Sequence, residues 1–143
     1  MKRIALLVQD LDSDYFTFMV EGAKKYCVEH GHQLMIFIVR GKNWNHGSFD
    51  YQFYAATKLL TKENVDGILL ATNTYCQNAP ESKRAELVRE LTYLPLVSIG
   101  AEIPGISSVV SDSKAAFKEL LYHLSDFHHK KKHCSDDACL DFG

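Results

Sequence analysis

The stretch MKRIALLVQDLDSDYF, residues 1–16, decides the fold class of this chain. Residues 4–8 (IALLV) form a continuous apolar run, and polar residues 9–14 follow it directly. Such a run is typical of a strand that is covered on both faces, as in a parallel sheet. A secretion signal needs about 7–15 apolar residues and a membrane span about 20, so this run is too short for either. We therefore predict a buried strand that leads into a helix.

The same pattern of a strand followed by a helix repeats along the chain. Further apolar runs occupy residues 34–39 and 68–71, the largely apolar stretch LVSI occupies 96–99, and residues 106–110 (ISSVV) are predicted as a short fifth strand. Alternating buried strands and helices indicate βαβ units around a parallel sheet. The sequence therefore predicts an α/β fold, a three-layer αβα sandwich with a parallel five-stranded sheet. Residues 72–80 are predicted to form a long polar loop.

Composition and charge argue against several classes of protein. The formal net charge is −2, whereas a nucleic-acid-binding surface usually shows a basic excess, so we expect no direct nucleic-acid contact from this chain. No membrane span is expected either. The four cysteines lack the paired spacing of a disulfide scaffold, and no export signal is recognised. These features favour reduced thiols and a cytoplasmic protein.

The motifs of the common chemistries on such a sheet are missing from the sequence. No G-x-G-x-x-G, no G-x-x-x-x-G-K-[ST] and no G-x-S-x-G is present. Ala71-Thr72-Asn73 stands where a phospho-receiver domain needs its phosphoacceptor aspartate. No nucleophile–base pair stands out. We therefore expect a protein that is not an enzyme and needs no cofactor.

The chain end differs in character from the rest. We predict residues 1–131 to form one lobe and residues 132–143 to be an atypical tail, explained by truncation or disorder. Histidines and cysteines crowd this end, and their spacing only just fits a zinc site: His128, His133, Cys134 and Cys139. A solvated tail with incidental histidines is the favoured alternative, so no metal site is predicted.

Candidate ligand-binding residues stand where strands end. In an open parallel sheet, helix N-termini and backbone amides converge at the carboxyl ends of the strands. The candidates there are Asp14, Tyr15, Phe16, Asn73 and Asp112. An aromatic face beside carboxylates and amides suits a sugar or a purine. Two alternatives stay open: Tyr15 and Phe16 as core residues of an amphipathic helix, and Asp112 as a helix N-cap.

Several stretches, taken in order, resemble a known family. They are KRIALLV (2–8), DYF (14–16), VDGILLA (65–71), LPLVSIG (94–100), VVSDS (109–113) and HL (123–124). Together they are similar to the effector-binding domain of the lactose-repressor/purine-repressor (LacI/GalR-type) family, relatives of the periplasmic sugar-binding proteins. The resemblance covers about residues 2–131 and implies the N-terminal lobe of a type I periplasmic-binding-protein-like fold.

By this resemblance, Tyr15 and Phe16 stack on a planar ligand or a sugar, and the loops that hold Asn73 and Asp112 supply other contacts. The resemblance also implies a homodimer formed through this lobe. Two departures stand out. No helix-turn-helix headpiece precedes Lys2, and residues 133–137 (HCSDD) replace the strand expected to cross into a second lobe. We expect the output domain to lie outside this chain, and the chain end to reflect truncation or a broken reading frame.

The sequence thus predicts a ligand-sensing lobe of a transcriptional or signal-transduction regulator. Its ligand would be a small effector of the sugar or nucleobase class, and its mechanism would be lobe closure around that effector. The alternative prediction is a dimerisation or protein-interaction module that binds no small molecule.

Overall fold

A computed structural model describes residues 1–40, 51–77 and 79–126, together with the backbone of residues 134–135 and 138–139. The chain forms two compact units, Met1–Val110 and Ser111–Gly143, and each unit is described by itself. The predicted boundary between lobe and tail at residue 131 lies outside the described residues.

The first unit is built on a five-stranded sheet. Its strands are β1 (Arg3–Val8), β2 (Gln33–Ile38), β3 (Gly67–Ala71), β4 (Leu96–Ile99) and β5 (Ser107–Val109). They lie in the order β2-β1-β3-β4-β5, and every neighbouring pair is parallel. The predicted parallel five-stranded sheet is confirmed, and each strand ends within one residue of its predicted limits.

Helices cover both faces of this sheet. They are α1 (Asp14–Glu29), α2 (Tyr51–Ala55), a 3-10 turn (Ala56–Leu59), α3 (Thr72–Tyr75) and α4 (Glu81–Arg89). The step from β1 to β2 runs in the opposite direction from the later steps. Since crossovers between parallel strands are right-handed, α1 lies on one face and α2 and α4 lie on the other. The three-layer αβα sandwich is confirmed. Within the described ranges, no helix has the length and apolar character needed to span a membrane.

The segment predicted as a long polar loop contains a short helix. α3 follows β3 without a break, and the hydroxyl of Thr74 donates a 2.9 Å hydrogen bond to the carbonyl of Ala71. The backbone N–H of Cys76 closes the turn on the carbonyl of Thr72 at 2.9 Å. These local hydrogen bonds stabilise a helical turn in a segment whose polar composition had suggested a loop. Pro80, at the end of this segment, is the N-cap of α4.

Two hydrophobic clusters hold the layers together. The larger lies on the α2–α4 face and includes Leu7, Leu70 and Val88, all fully or nearly fully buried. The smaller lies on the α1 face and consists of Leu6, Val8, Phe16 and Ala71, with partly buried side chains packed against it. Because Phe16 is the third residue of α1, the smaller cluster fixes the start of this helix on the ends of β1 and β3.

The second unit contains α5 (Ser113–Asp126) and a short antiparallel pair, β6 (Cys134–Ser135) and β7 (Ala138–Cys139). Asp112 caps α5, since its Oδ1 accepts a 3.1 Å hydrogen bond from the N–H of Ala115. The histidine and cysteine side chains weighed as a zinc site lie outside the described residues.

Candidate ligand-binding site

The carboxyl ends of β1 and β3 define a crevice in the sheet. The two strands are neighbours, but the chain leaves β1 for the α1 face and leaves β3 for the opposite face. At such a switch point the connections diverge and leave an open space, which is where ligands bind in open α/β sheets. The loop after β1, the start of α3 and the turn after β4 surround this space.

The loop after β1 is organised by its own side chains. Oδ1 of Asp10 accepts hydrogen bonds from the backbone N–H groups of Asp12 and Ser13, each at 3.2 Å. Ser13 is the N-cap of α1, and its hydroxyl accepts from the N–H of Phe16 at 3.5 Å. These bonds fix the entry into α1 and with it the position of Tyr15 at the mouth of the crevice.

The adjacent rings of Tyr15 and Phe16 have different surroundings. Tyr15 is 51% exposed, whereas Phe16 is 3% exposed and packs with Leu6 and Val8. The two rings meet edge to face, with centroids 5.2 Å apart and planes at 70°. Phe16 therefore offers no ring face to a ligand in this structure. Phe16 is a core residue of the amphipathic helix α1, as the alternative prediction had it. Of the two rings, only that of Tyr15 has a face available for stacking.

Asn73 and Gly100 bring a second and a third strand end to the same place. The side-chain Nδ2 of Asn73 donates a 2.7 Å hydrogen bond to the carbonyl of Gly100. Gly100 has φ +86°, and a Cβ built on it would lie 2.9 Å from Asn73 Nδ2 and 3.3 Å from the Tyr15 hydroxyl oxygen. Tyr15 and Asn73 therefore approach one small volume that only a glycine leaves open.

A buried pair of hydroxyls sets the turn that carries Gly100. Thr72 and Ser98 are both 0% exposed, and their side-chain oxygens lie 2.7 Å apart. Ser98 Oγ donates to the carbonyl of Ala101 at 2.5 Å, so the single proton of the Thr72 hydroxyl is shared between Ser98 Oγ and the carbonyl of Leu70 at 3.2 Å. We did not identify this pair from the sequence. Its signal was a serine inside the otherwise apolar strand LVSI (96–99).

The two predicted carboxylates stand at the starts of two helices. Asp14 is exposed in the first turn of α1, where the helix dipole favours a negative charge. Asp112 belongs to the second unit, and its capping bond to Ala115 fits the N-cap alternative. The structure thus brings together Tyr15 and Asn73 among the predicted residues. A ligand contact from Asp14 or Asp112 stays a prediction.

The assembled groups are suited to binding. Tyr15 offers a ring face and a hydroxyl, and Asn73 retains one N–H and its carbonyl oxygen after bonding Gly100. Burial raises the pKa of the Tyr75 phenol and of the Cys76 thiol, so both are neutral at pH 7 and neither is an activated nucleophile. In the described part of the chain, no group of three or more metal-ligating side chains comes together.

Comparisons with known proteins identify the fold. A trehalose repressor from Escherichia coli matches with a TM-score of 0.63 and 23% identity, over 91% of this chain and 45% of that protein. GanP, a glucose-galactose binding protein from Geobacillus stearothermophilus, matches with a TM-score of 0.65 and 20% identity, over 92% of this chain and 44% of that protein. A LacI family transcriptional regulator from Mycobacterium smegmatis matches with a TM-score of 0.58 and 21% identity, over 82% and 40%.

The chain therefore has the fold of LacI-family repressors and sugar-binding proteins, which confirms the resemblance drawn from the sequence at the level of fold. It spans less than half the length of each of these proteins. No protein family matches the sequence, and no curated protein matches it at a significant level.

Proposed function

We propose that this chain is the ligand-sensing lobe of a transcriptional or signal-transduction regulator, and that it binds a sugar or nucleobase-like molecule without altering it chemically. One observation carries the proposal. Tyr15 and Asn73 converge beside Gly100 at the switch point of the sheet. Gly100 leaves room for both side chains, and hydrogen bonds from the Asp10 side chain hold the loop that precedes Tyr15.

The roles of the side chains follow from their surroundings. The half-exposed ring of Tyr15 stacks on the flat face of a sugar or heterocycle, and the buried ring of Phe16 supports it from the side. Asn73 is held by Gly100, so its remaining amide groups meet a ligand hydroxyl or ring nitrogen at little cost in conformational entropy. Asp14 and Asp112 supply further hydrogen-bond acceptors in the ligand-bound protein.

The similar proteins favour the sugar class. They include a trehalose repressor, a glucose-galactose binding protein and the Pseudomonas putida regulator Cra in complex with fructose 1-phosphate. In the intact regulator, ligand binding would favour a closed arrangement of two lobes and thereby shift a two-state equilibrium. The output domain would lie outside this chain, for example an AraC-type DNA-binding domain, a histidine kinase or a cyclic-dinucleotide synthase. The regulator would be cytoplasmic.

The proposal is tested by an NMR titration of the 143-residue chain with trehalose, glucose, galactose, fructose 1-phosphate, adenine and hypoxanthine. Because the site residues are open to solvent, we expect dissociation constants on the order of millimolar. The ligand should shift the signals of Tyr15 and of the Asn73 side-chain amide. Tyr15→Ala should weaken binding by roughly tenfold, the loss of about 1.4 kcal/mol of stacking.

Tyr26→Ala is the matched control, since Tyr26 is a comparably exposed tyrosine (56%) on the same helix. This variant should bind like the parent chain. A ligand that binds the Tyr15→Ala variant as tightly as the parent would contradict the stacking role. The absence of any response to the whole panel at tens of millimolar would contradict the sugar or nucleobase class.

A second candidate function is homodimerisation, either beside ligand binding or instead of it. β2 is an edge strand, and a groove of about 510 Å³ runs between it and α1. Val28, 71% exposed, and Ile36, 40% exposed, line this groove and leave apolar surface on the flank of the lobe. Exposed apolar surface of this kind marks interaction sites in soluble proteins.

Light scattering across a concentration series tests this candidate. A dimer that Val28→Glu and Ile36→Glu convert to a monomer would support it. Leu59→Glu is the control, because Leu59 is similarly exposed (58%) but lies on the 3-10 turn. A parent chain that stays monomeric at millimolar concentration would exclude dimerisation through this flank.

A further inference from the structure

A second cavity lies beside the turn between β4 and β5. It has a volume of about 620 Å³, and its walls are the start of α4 and the turn that follows Gly100. α4 contributes Glu81, Arg84 and Ala85, and the turn contributes Glu102 and Ile103. Tyr15, Asn73 and Gly100 do not line this cavity. It is therefore distinct from the site at the ends of β1 and β3.

The side chain of Arg84 lines this cavity and has a hydrogen-bond donor without an acceptor in the described parts of the protein. Its Nε is buried and has no hydrogen-bond partner among the described residues. No ion pair joins Arg84 to a carboxylate in that part of the chain either. Arg84 as a whole is partly exposed, but a buried N–H donor without a partner is costly, and native proteins usually satisfy such groups with an acceptor. A ligand carboxylate is the natural acceptor, because its two oxygens match the guanidinium fork.

The other walls of the cavity restrict what kind of anion fits. Glu81 and Glu102 are exposed and line the same cavity, so it holds one cationic and two anionic side chains. Apolar groups and the hydroxyl residue Ser108 complete the lining, with Ile103 buried and Ile106 partly buried. A simple dianion would be repelled by the two carboxylates, and a neutral sugar would leave the charge of Arg84 without a counterion.

We propose that this cavity binds a small zwitterion, an α-amino acid with an apolar side chain. The ligand carboxylate binds Arg84, its ammonium group lies against Glu81 or Glu102, and its side chain packs on the isoleucine wall. Both charges of the ligand then meet a group of opposite sign, and the second glutamate stays exposed to solvent. The inference is independent of the sugar or nucleobase site, because the two sites share no side chain that the argument uses.

The test is an NMR titration of the 143-residue chain with L-leucine, read on the Nε–Hε signal of Arg84 and on the backbone amides of residues 101–106. Two leucine analogues test which charged group of the ligand is needed for binding. 4-Methylpentanoate lacks the ammonium group, and 3-methylbutylamine lacks the carboxylate. We expect leucine to bind with a dissociation constant on the order of millimolar and each analogue to bind at least roughly tenfold more weakly.

Three variants locate the interaction. Arg84→Gln should abolish the response to leucine, and Glu102→Gln should weaken binding by roughly three- to tenfold. Lys83→Gln, the control, removes an exposed charge from the same helix without touching the cavity, and it should bind like the parent. Glu102 is exposed, so its variant folds even if Arg84→Gln does not, and it tests the proposal alone in that case.

Several outcomes would overturn the assignment. Leucine could leave the Arg84 signal unchanged at 50 mM, or 4-methylpentanoate could bind as tightly as leucine. The first result would show that leucine does not bind at Arg84. The second would show that the ligand does not need an ammonium group, which contradicts the zwitterionic class. Equal binding by the Glu102→Gln variant and the parent, with Glu81→Gln also without effect, would show that no carboxylate of the cavity receives the ammonium group.

Discussion

The side-chain amide of Asn73 donates a 2.7 Å hydrogen bond to the carbonyl oxygen of Gly100, and this bond joins the carboxyl ends of β3 and β4. The Tyr15 hydroxyl lies on the same side of Gly100, 3.3 Å from the position a Cβ would occupy. The candidate site is therefore arranged around the absence of one side chain. A methyl group there would strain the backbone at φ +86° and displace both flanking groups.

Gly100→Ala should lower the free energy of unfolding by about 1–2 kcal/mol through the left-handed backbone alone. The contact with Asn73 at 2.9 Å adds to this cost or moves the Asn73 side chain. We also expect weaker binding of any ligand that engages Tyr15 and Asn73. Urea denaturation and the ligand titration measure the two effects separately.

Two other glycines separate backbone strain from the contact. Gly105 has φ +80° with nothing within 4 Å of a built Cβ, and Gly22 lies inside α1 with equally open space. Gly105→Ala should therefore cost only the backbone strain, whereas Gly22→Ala should stabilise the chain by about 0.5–1 kcal/mol. If Gly100→Ala cost no more than Gly105→Ala and left ligand binding intact, the arrangement around Gly100 would have no special role.

Replacing the two adjacent aromatic residues by alanine should lower the free energy of unfolding by very different amounts. Phe16→Ala removes a ring that is 3% exposed and should cost about 3–5 kcal/mol. Tyr15→Ala removes a half-exposed ring and should cost less than about 1 kcal/mol, mostly its edge contact with Phe16. Urea denaturation of both variants checks the difference. Equal losses in the free energy of unfolding would mean that Tyr15 is a core residue. Its ring would then not be available to stack on a ligand.

The strands were predictable because their signal is local. Continuous apolar runs such as ILLA (68–71) mark β3 to within one residue of its observed limits. The different fates of Tyr15 and Phe16 were not predictable, because neighbours on a helix differ by only about 100° of rotation. What separates them is the sheet below, where Leu6 and Val8 receive the Phe16 ring.

The candidate site was predictable only in part, for a related reason. Asn73 was identified by its place after the third strand, but its partner Gly100 lies 27 residues further along the chain. The hydroxyl pair of Thr72 and Ser98 is similarly non-local, because its members are 26 positions apart in the sequence. A pattern along the chain shows which residues end a strand, and it does not show which of them meet.

That hydroxyl pair should be a measurable source of stability. Ser98→Ala removes the donor to the Ala101 carbonyl and one of the two acceptors of the Thr72 hydroxyl, and it should cost about 1–3 kcal/mol because the buried Ala101 carbonyl loses its partner and Thr72 keeps only the longer bond to Leu70. Thr72→Val tests the other side and should cost a similar amount. Urea denaturation of the single variants and the double variant forms a mutant cycle.

The double variant should be less destabilised than the sum of the single variants by at least about 0.5 kcal/mol, because the second substitution removes a group that has already lost its partner. Strict additivity would show that the two hydroxyls, despite their 2.7 Å separation, do not interact energetically.

The start of β1 should make stability depend on pH through Asp66. Its carboxylate accepts a 2.7 Å hydrogen bond from the backbone N–H of Arg3, and the Arg3 Nε lies 3.5 Å away. The backbone bond and, to a smaller extent, the positive charge of Arg3 hold the pKa of Asp66 below its ordinary value of 3.8. The stabilisation is therefore complete above about pH 5, where Asp66 is ionised in both the folded and the unfolded chain. It is lost as the pH falls below 3.8 and through the lower pKa of the folded state.

Urea midpoints between about pH 6 and pH 3 check this dependence. The parent chain should be more stable than Asp66→Asn at pH 6, and the difference should shrink towards pH 3 because the protonated carboxyl group no longer attracts Arg3. Glu21→Gln, a change at an exposed carboxylate of α1, should leave the pH profile of the parent unchanged. Parallel profiles for the parent and Asp66→Asn would show that the bond to Arg3 does not couple folding to protonation. The anchoring of β1 next to β3 would then rest on the backbone hydrogen bonds and the hydrophobic contacts between the two strands.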